Sequence, residues 1–188
     1  NVTVLMDGQG ADEIFAGYLS FVGPYLNELY KNDLKEYHKQ RDSFEKLLGY
    51  THDLSLRAKL LLKHPYLFSM AKPITSVFKK TTDTELNVMG FTKEFIKEIA
   101  SERFVREKRD NDSLHKALEN TIWNDGLPTL LRYADRNSMA HSIEVRLPYL
   151  SHLLAEFSFS LPPSYKMNNG YTKYILRKSF EGLVPDEI

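Results

Sequence analysis

The chain contains no cysteine, which excludes disulfides, cysteine-ligated metals and a cysteine nucleophile within it, and fits a reducing cytoplasm. Net charge is also missing. Lys and Arg number 25 and Asp and Glu number 25, so nothing advertises nucleic acid or an anionic membrane as a partner. The longest apolar cluster, around Leu60–Leu62, falls far short of the ~20 residues that a membrane span requires. The six histidines show no HxxxH or HxxEH spacing, which argues against a zinc site. Neither a GxSxG elbow nor a Walker GxxxxGK[ST] loop occurs, which disfavours an α/β-hydrolase and a P-loop kinase.

What is present fits one domain or a large piece of one. A chain of 188 residues can bury roughly 70% of its unfolded surface without staples. It lacks an initiator Met and opens inside a strand-like pattern. The expectation is therefore a fragment, with the strands that pair with Val2–Met6 lying upstream.

The stretch Val2 to Tyr18 joins an apolar run, a glycine turn and an acidic helix start. Val2–Met6 predicts a parallel strand covered on both faces, with Asp7 to Asp12 at its carboxyl end, where ligands collect in open α/β sheets. Gly8 and Gly10 are free to adopt positive φ and let backbone N–H groups approach a ligand. A helix starting near Asp12 adds a positive dipole end that suits phosphate. Asp12 and Glu13 would oppose a bare phosphate, and Mg²⁺ between carboxylate and phosphate oxygens reconciles the two. The plainer reading is a strand-to-helix turn capped by Asp12, and the third glycine of the dinucleotide fingerprint is absent. On local pattern both readings stay open.

Farther along, helical spacing recurs in Phe21–Leu34 and Leu54–Leu62. Phe68–Met89 reads as a loop or surface insertion, Thr92 as the cap of a helix through Phe104, and the mixed charges from Arg103 to Asp112 as a solvated helix end. Ser113 caps a helix through Ile122, and Pro128 opens another toward Met139. Ser151–Leu161 is an amphipathic helix stopped by Pro162-Pro163. Asn168-Asn169-Gly170 marks a turn, and Thr172 caps a helix over Lys173–Phe180 closed by Gly182.

Between Leu131 and Pro148, the ions Asp135, Arg136, Glu144 and Arg146 stand among apolar residues. That predicts partly buried charges needing partners, in a structural network or in a site. His141, in the same segment, reads as a hydrogen-bonded structural residue. Lys173 in the first turn of a helix opposes the dipole, so it either meets an outside anion or leans into solvent.

Gly8-x-Gly10-Ala11-Asp12-Glu13-x-Phe15-x-Gly17-Tyr18, then Asp135-Arg136-x-Ser138-Met139-Ala140 with Glu144-Val145-Arg146-x-Pro148, then Thr172-Lys173-x-x-Leu176-Arg177, together resemble the synthetase domain of glutamine-hydrolysing asparagine synthetases. The resemblance implies an α/β nucleotide-binding domain, like the adenine nucleotide alpha hydrolases. Residues 1–188 would be its C-terminal, mainly α-helical part with one N-terminal strand. It implies adenylation of a carboxylate, aspartate, by ATP with Mg²⁺, followed by attack of ammonia from a glutaminase domain. Asp7, Gly8, Gly10 and Arg136 would lie at the nucleotide, Asp12 would hold the metal, and Lys173, Glu144, Gln9 and Arg146 would be catalytic. Glu144 falls where related β-lactam synthetases place an acid that orients a catalytic partner.

The SGGxDS pyrophosphate loop and the N-terminal cysteine of the glutaminase domain do not occur in this sequence, so the isolated chain is expected to be inactive. A cytoplasmic location is expected, and a homodimer is left open. Gln9 stands where many members carry glutamate, and an amide cannot take a proton as a carboxylate does. Asp7 stands where serine is common. The alternatives are a related amidotransferase acting on another carboxylate, such as a sugar acid in surface polysaccharide synthesis, or a catalytically silent interaction domain.

Overall fold

The computed structural model describes residues 2–54, 59, 62–63, 113–124 and 126–185. The chain divides into two compact units, Asn1–Asp53 with Asp110–Ile188, and Leu54–Arg109. Most of the second unit lies outside the described residues. So do most of the Leu54–Leu62 helix and all of the Phe68–Met89 loop, the Thr92–Phe104 helix and the Arg103–Asp112 charge run.

In the first unit, strand β1 (Val4–Met6) leads through the glycine turn into helix α1 (Ala11–Phe15), then a 3-10 turn at Leu19–Phe21 and helices α2 (Val22–Asn32) and α3 (Leu34–Leu48). Helices α4 (Leu114–Trp123) and α5 (Gly126–Met139), strand β2 (Glu144–Arg146) and helices α6 (His152–Ser160), α7 (Pro163–Lys166) and α8 (Tyr174–Ser179) complete it. The described residues are thus mainly helical, with a small parallel sheet.

β1 corrects two expectations. One partner is within this chain, since β2 pairs with it in parallel, Val4 opposite Glu144 and Met6 opposite Arg146. Its residues are exposed rather than covered, and the sheet among the described residues has two strands. The helical run read over Phe21–Leu34 is also divided. Asp33 takes an extended backbone and its side chain accepts the Glu36 N–H, so it ends α2 and caps α3. Leu34, which prolonged the apolar spacing, is exposed. Gly49 then closes α3 at φ 64°, with its N–H on the Glu45 carbonyl, the left-handed cap with a single 5→1 bond.

Other starts and stops follow local chemistry. The Ser113 hydroxyl accepts the Lys116 N–H at the start of α4, and Glu28 of α2 accepts the Leu114 N–H at 3.0 Å, which suits a helix N-terminus. Pro128 is the third residue of α5 rather than its first, still within the turn whose N–H groups have no helical partner. Pro162-Pro163 follows α6 as expected. The core gathers Ile14 and Phe15 from α1, Val22, Tyr25 and Leu26 from α2, Phe44 from α3 and Leu114 and Leu118 from α4, all buried. Side chains of this size contribute about 1.5–3 kcal/mol each when buried. Helix α1 is thereby seated between α4 and α6.

Candidate active site

The parallel ladder sets the first edge of the site. The Asp7 N–H donates to the Arg146 carbonyl at 3.0 Å, so the strand carrying Glu144 and Arg146 lies beside the start of the glycine turn. Glu144 and Arg146 stand two apart on β2 and therefore on one face. Arg146 Nε donates to Glu144 Oε1 at 2.8 Å. Glu144 raises the Arg146 pKa, chiefly through that hydrogen bond. Both side chains are more than half exposed, and Asp135 and Arg136 are exposed as well. The expectation of partly buried ions is corrected: the ribbon turns Val145 toward partial cover and leaves Glu144 and Arg146 on the solvent side.

The turn itself departs from a capped helix start. Gly10, at φ 93°, is the residue before α1, and no side chain caps it. The room a Cβ would need there is filled by Leu150. Gly8 is exposed, does not have positive φ and has open space where a Cβ would stand. Asp12 is not a cap; it lies inside the first turn of α1. Its carboxylate points instead to the other end of the chain, where Lys173 Nζ lies 2.8 Å from Asp12 Oδ1.

Lys173 reaches that position through an unusual backbone. Asn169 and Gly170 have φ of 51° and 82°, and Asn168 and Tyr171 exchange backbone hydrogen bonds of 3.1 and 2.9 Å, which is a type I′ turn. Gln40 of α3, wholly buried, holds this turn: its Nε2 donates to Asn168 Oδ1 at 2.7 Å and its Oε1 accepts the Asn169 N–H at 2.8 Å. Thr172 is not the cap of α8. Lys173 is, in the left-handed region at φ 50°. Helix α8 ends at Ser179, and Gly182 lies beyond its cap residue Phe180.

The residues that follow Asp12 shape its surroundings. A Cβ at Gly17 would overlap Asp12 Oδ1 and the Lys173 side chain, so glycine is what lets the pair form. Ala16, just before it, is left-handed at φ 58°, and strained backbone of this kind gathers at functional sites. Glu13 is buried and accepts from the Tyr18 hydroxyl at 2.7 Å. Burial and that hydrogen bond push the Tyr18 pKa up. Beside Lys173 opens a cavity of about 330 Å³, walled by Leu176, Arg177, Phe180 and Val184. Arg136 lines a separate hollow of about 230 Å³ with Arg132 and Tyr133. Among the described residues, neither Gln9 nor Arg136 has a side-chain hydrogen bond or ion pair with another candidate residue.

The glycine turn, the acid/base ribbon and the lysine-bearing helix are thus joined, the first two by the ladder and the first and third by an ion pair. The family model for asparagine synthase matches residues 1–188. The chain belongs to the asparagine synthase family. It is 28% identical over 201 residues to asparagine synthetase [glutamine-hydrolyzing] 1 of Bacillus subtilis, an alignment that takes in 100% of this chain and 29% of that protein. Shorter matches are to asparagine synthetase [glutamine-hydrolyzing] 3 of the same organism, 42% identical over 69 residues, 37% of this chain and 11% of that protein, and to the human enzyme of that name, 43% over 58 residues, 29% and 10%. The chain therefore spans less than a third of the relatives it matches. No solved structure matches it significantly. No described helix is long and apolar enough to cross a membrane.

Proposed function

We propose that this chain is the C-terminal part of the ATP-dependent synthetase domain of a glutamine-hydrolysing amidotransferase, which adenylates the side-chain carboxylate of aspartate and amidates it with ammonia to give asparagine. The observation that carries the reading is the 2.8 Å pair of Asp12 and Lys173, because it unites an acid that suits a metal with a cation that suits phosphate. The printed names of the relatives agree with it.

Among the described residues no group of three or more acids and histidines could cage a metal. Mg²⁺, however, is commonly held by one or two carboxylates together with substrate phosphates. Asp12 is about one-third exposed, and the ammonium occupies its Oδ1, which leaves Oδ2 for such an ion. Bound there with ATP, Mg²⁺ would supply Lewis-acid withdrawal of charge from the departing pyrophosphate.

The other roles belong to the chain. Lys173 stabilises negative charge on the phosphates as the acyl phosphate bond forms and pyrophosphate leaves. The backbone of Asp7, Gly8 and Gly10 lines the nucleotide, with Arg136 as a further cation for it. Gln9 orients substrate through its amide. Glu144, in an ion pair with Arg146, takes or orients a proton in this reading as ammonia attacks the acyl carbon and AMP departs. The isolated 188-residue chain is inactive in this reading.

The test is release of pyrophosphate and formation of asparagine by the intact protein given ATP, Mg²⁺, aspartate and ammonia or glutamine. Release with another carboxylate and none with aspartate replaces the acceptor. Absence of saturable MgATP binding rejects the reading.

A further inference from the structure

Helix α6 is followed by Pro162-Pro163, whose nitrogens donate nothing, so the carbonyls of its last turn draw on donors from elsewhere. Two side chains help supply them. His115 Nε2 lies 3.1 Å from the Phe159 carbonyl oxygen, and Lys166 Nζ donates to the Ser158 carbonyl at 2.6 Å. Lys166 is wholly buried, and no carboxylate among the described residues pairs with it. Its ammonium lies 5.3 Å from the centre of the Phe159 ring. The negative end of the helix dipole and the ring face are what stabilise that charge.

Ser158 links this lysine to the site. It too is wholly buried, and while its carbonyl accepts from Lys166, its hydroxyl donates to the Ile14 carbonyl at 2.8 Å. Ile14 belongs to α1, the five-residue helix that carries Asp12. A helix that short has little stability of its own and no side-chain cap, so outside contacts fix where it sits. Tyr18 on Glu13 holds one part of it. Ser158 holds the carbonyl side.

We propose that Lys166 and Ser158 are positioning residues that seat α1 so that the Asp12 carboxylate stands opposite Lys173. The part these two ions play in handling MgATP rests on the function proposed above, whereas the seating of α1 does not. The buried ammonium fixes the end of α6, the end of α6 aims the Ser158 hydroxyl, and the hydroxyl fixes α1.

The experiment compares the intact wild type with Ser158→Ala and Lys166→Met, using amide hydrogen exchange of residues 11–17 with α3 as internal reference, and MgATP affinity by calorimetry. Loss of a buried hydrogen bond of ordinary strength is expected to speed exchange at Ile14–Gly17 about tenfold, leave α3 unchanged and weaken MgATP about fivefold. Unchanged exchange in α1 overturns the proposal. So does equal acceleration in α1 and α3, which marks a general loss of stability. If Lys166→Met fails to fold, Ser158→Ala alone decides. If the wild type binds no MgATP, the functional reading falls while the exchange result still decides on the seating of α1.

Discussion

Gly17 lies so close to the carboxylate of Asp12 that a single added carbon would overlap Oδ1 and strike the Lys173 side chain. Gly17→Ala is therefore expected to force the pair apart. Overpacking of this kind costs about 1–3 kcal/mol, and MgATP-dependent pyrophosphate release should fall with it. Gly126→Ala, at a glycine outside the candidate residues, is the control, since nothing occupies the space there; its stability should not fall below the wild type. Urea unfolding and pyrophosphate assays on both variants of the intact protein check this, and a silent Gly17→Ala would refute it.

Lys173 separates function from stability. Its pair with Asp12 is about one-third exposed, and such pairs are worth at most about 1 kcal/mol. Its left-handed backbone, on the other hand, is strained for any residue with a Cβ. Lys173→Gly should accordingly be more stable than Lys173→Ala by about 1 kcal/mol. Both should lose on the order of a hundredfold in pyrophosphate release, as expected for removal of a charge-stabilising group. Equal activity in the glycine variant and the wild type would rule out a catalytic role.

What the sequence disclosed depended on whether the causes were local. Ser113 before its helix, the proline pair after α6 and the Asn169-Gly170 turn act within a few residues of themselves, and each stands where it was expected. Asp33 was equally local, with Glu36 three residues on as its signal, yet the apolar spacing running on to Leu34 hid it. The partner of β1 lay on a distant strand, and no local pattern could name it. In the site, Asp12 and Lys173 stood out singly by their motifs, while their contact and the glycine that permits it exist only after folding. Gln40, Ser158 and Lys166 gave no signal. Each acts through a buried hydrogen bond to a segment remote in sequence or to a helix end.

Gln40 illustrates how much such a bond carries. Gln40→Met keeps the volume but leaves the Asn169 N–H and the Asn168 side chain without their partner. Both bonds are only partly buried, and an ordinary hydrogen bond is worth about 0.5–1.5 kcal/mol net. A loss of about 1–3 kcal/mol in urea unfolding is expected, together with weaker MgATP binding, because the turn that precedes Lys173 loses its anchor. Stability within about 0.5 kcal/mol of the wild type would show that the turn stands by itself.

Lys166 makes the pH dependence of stability a direct reading of burial. Desolvation lowers its pKa from the ordinary 10.5 to about 8. Below pH 8 the lysine is protonated both folded and unfolded, so the folded state bears the full cost of the buried charge. Between about pH 8 and 10.5 the unfolded chain binds the proton and the folded chain releases it, so this group makes stability rise with pH. Above that window the gain is complete. Lys166→Met has no such proton to lose. Relative to that variant, the wild type should gain stability from pH 7.5 to 10.5, by up to about 3 kcal/mol. Urea unfolding of both proteins at pH 7.5, 9 and 10.5 measures the difference, which cancels every other titrating group common to the two. A difference that stays flat would mean that the ammonium is solvated in the folded state, and one that falls would mean that an anionic partner holds its proton.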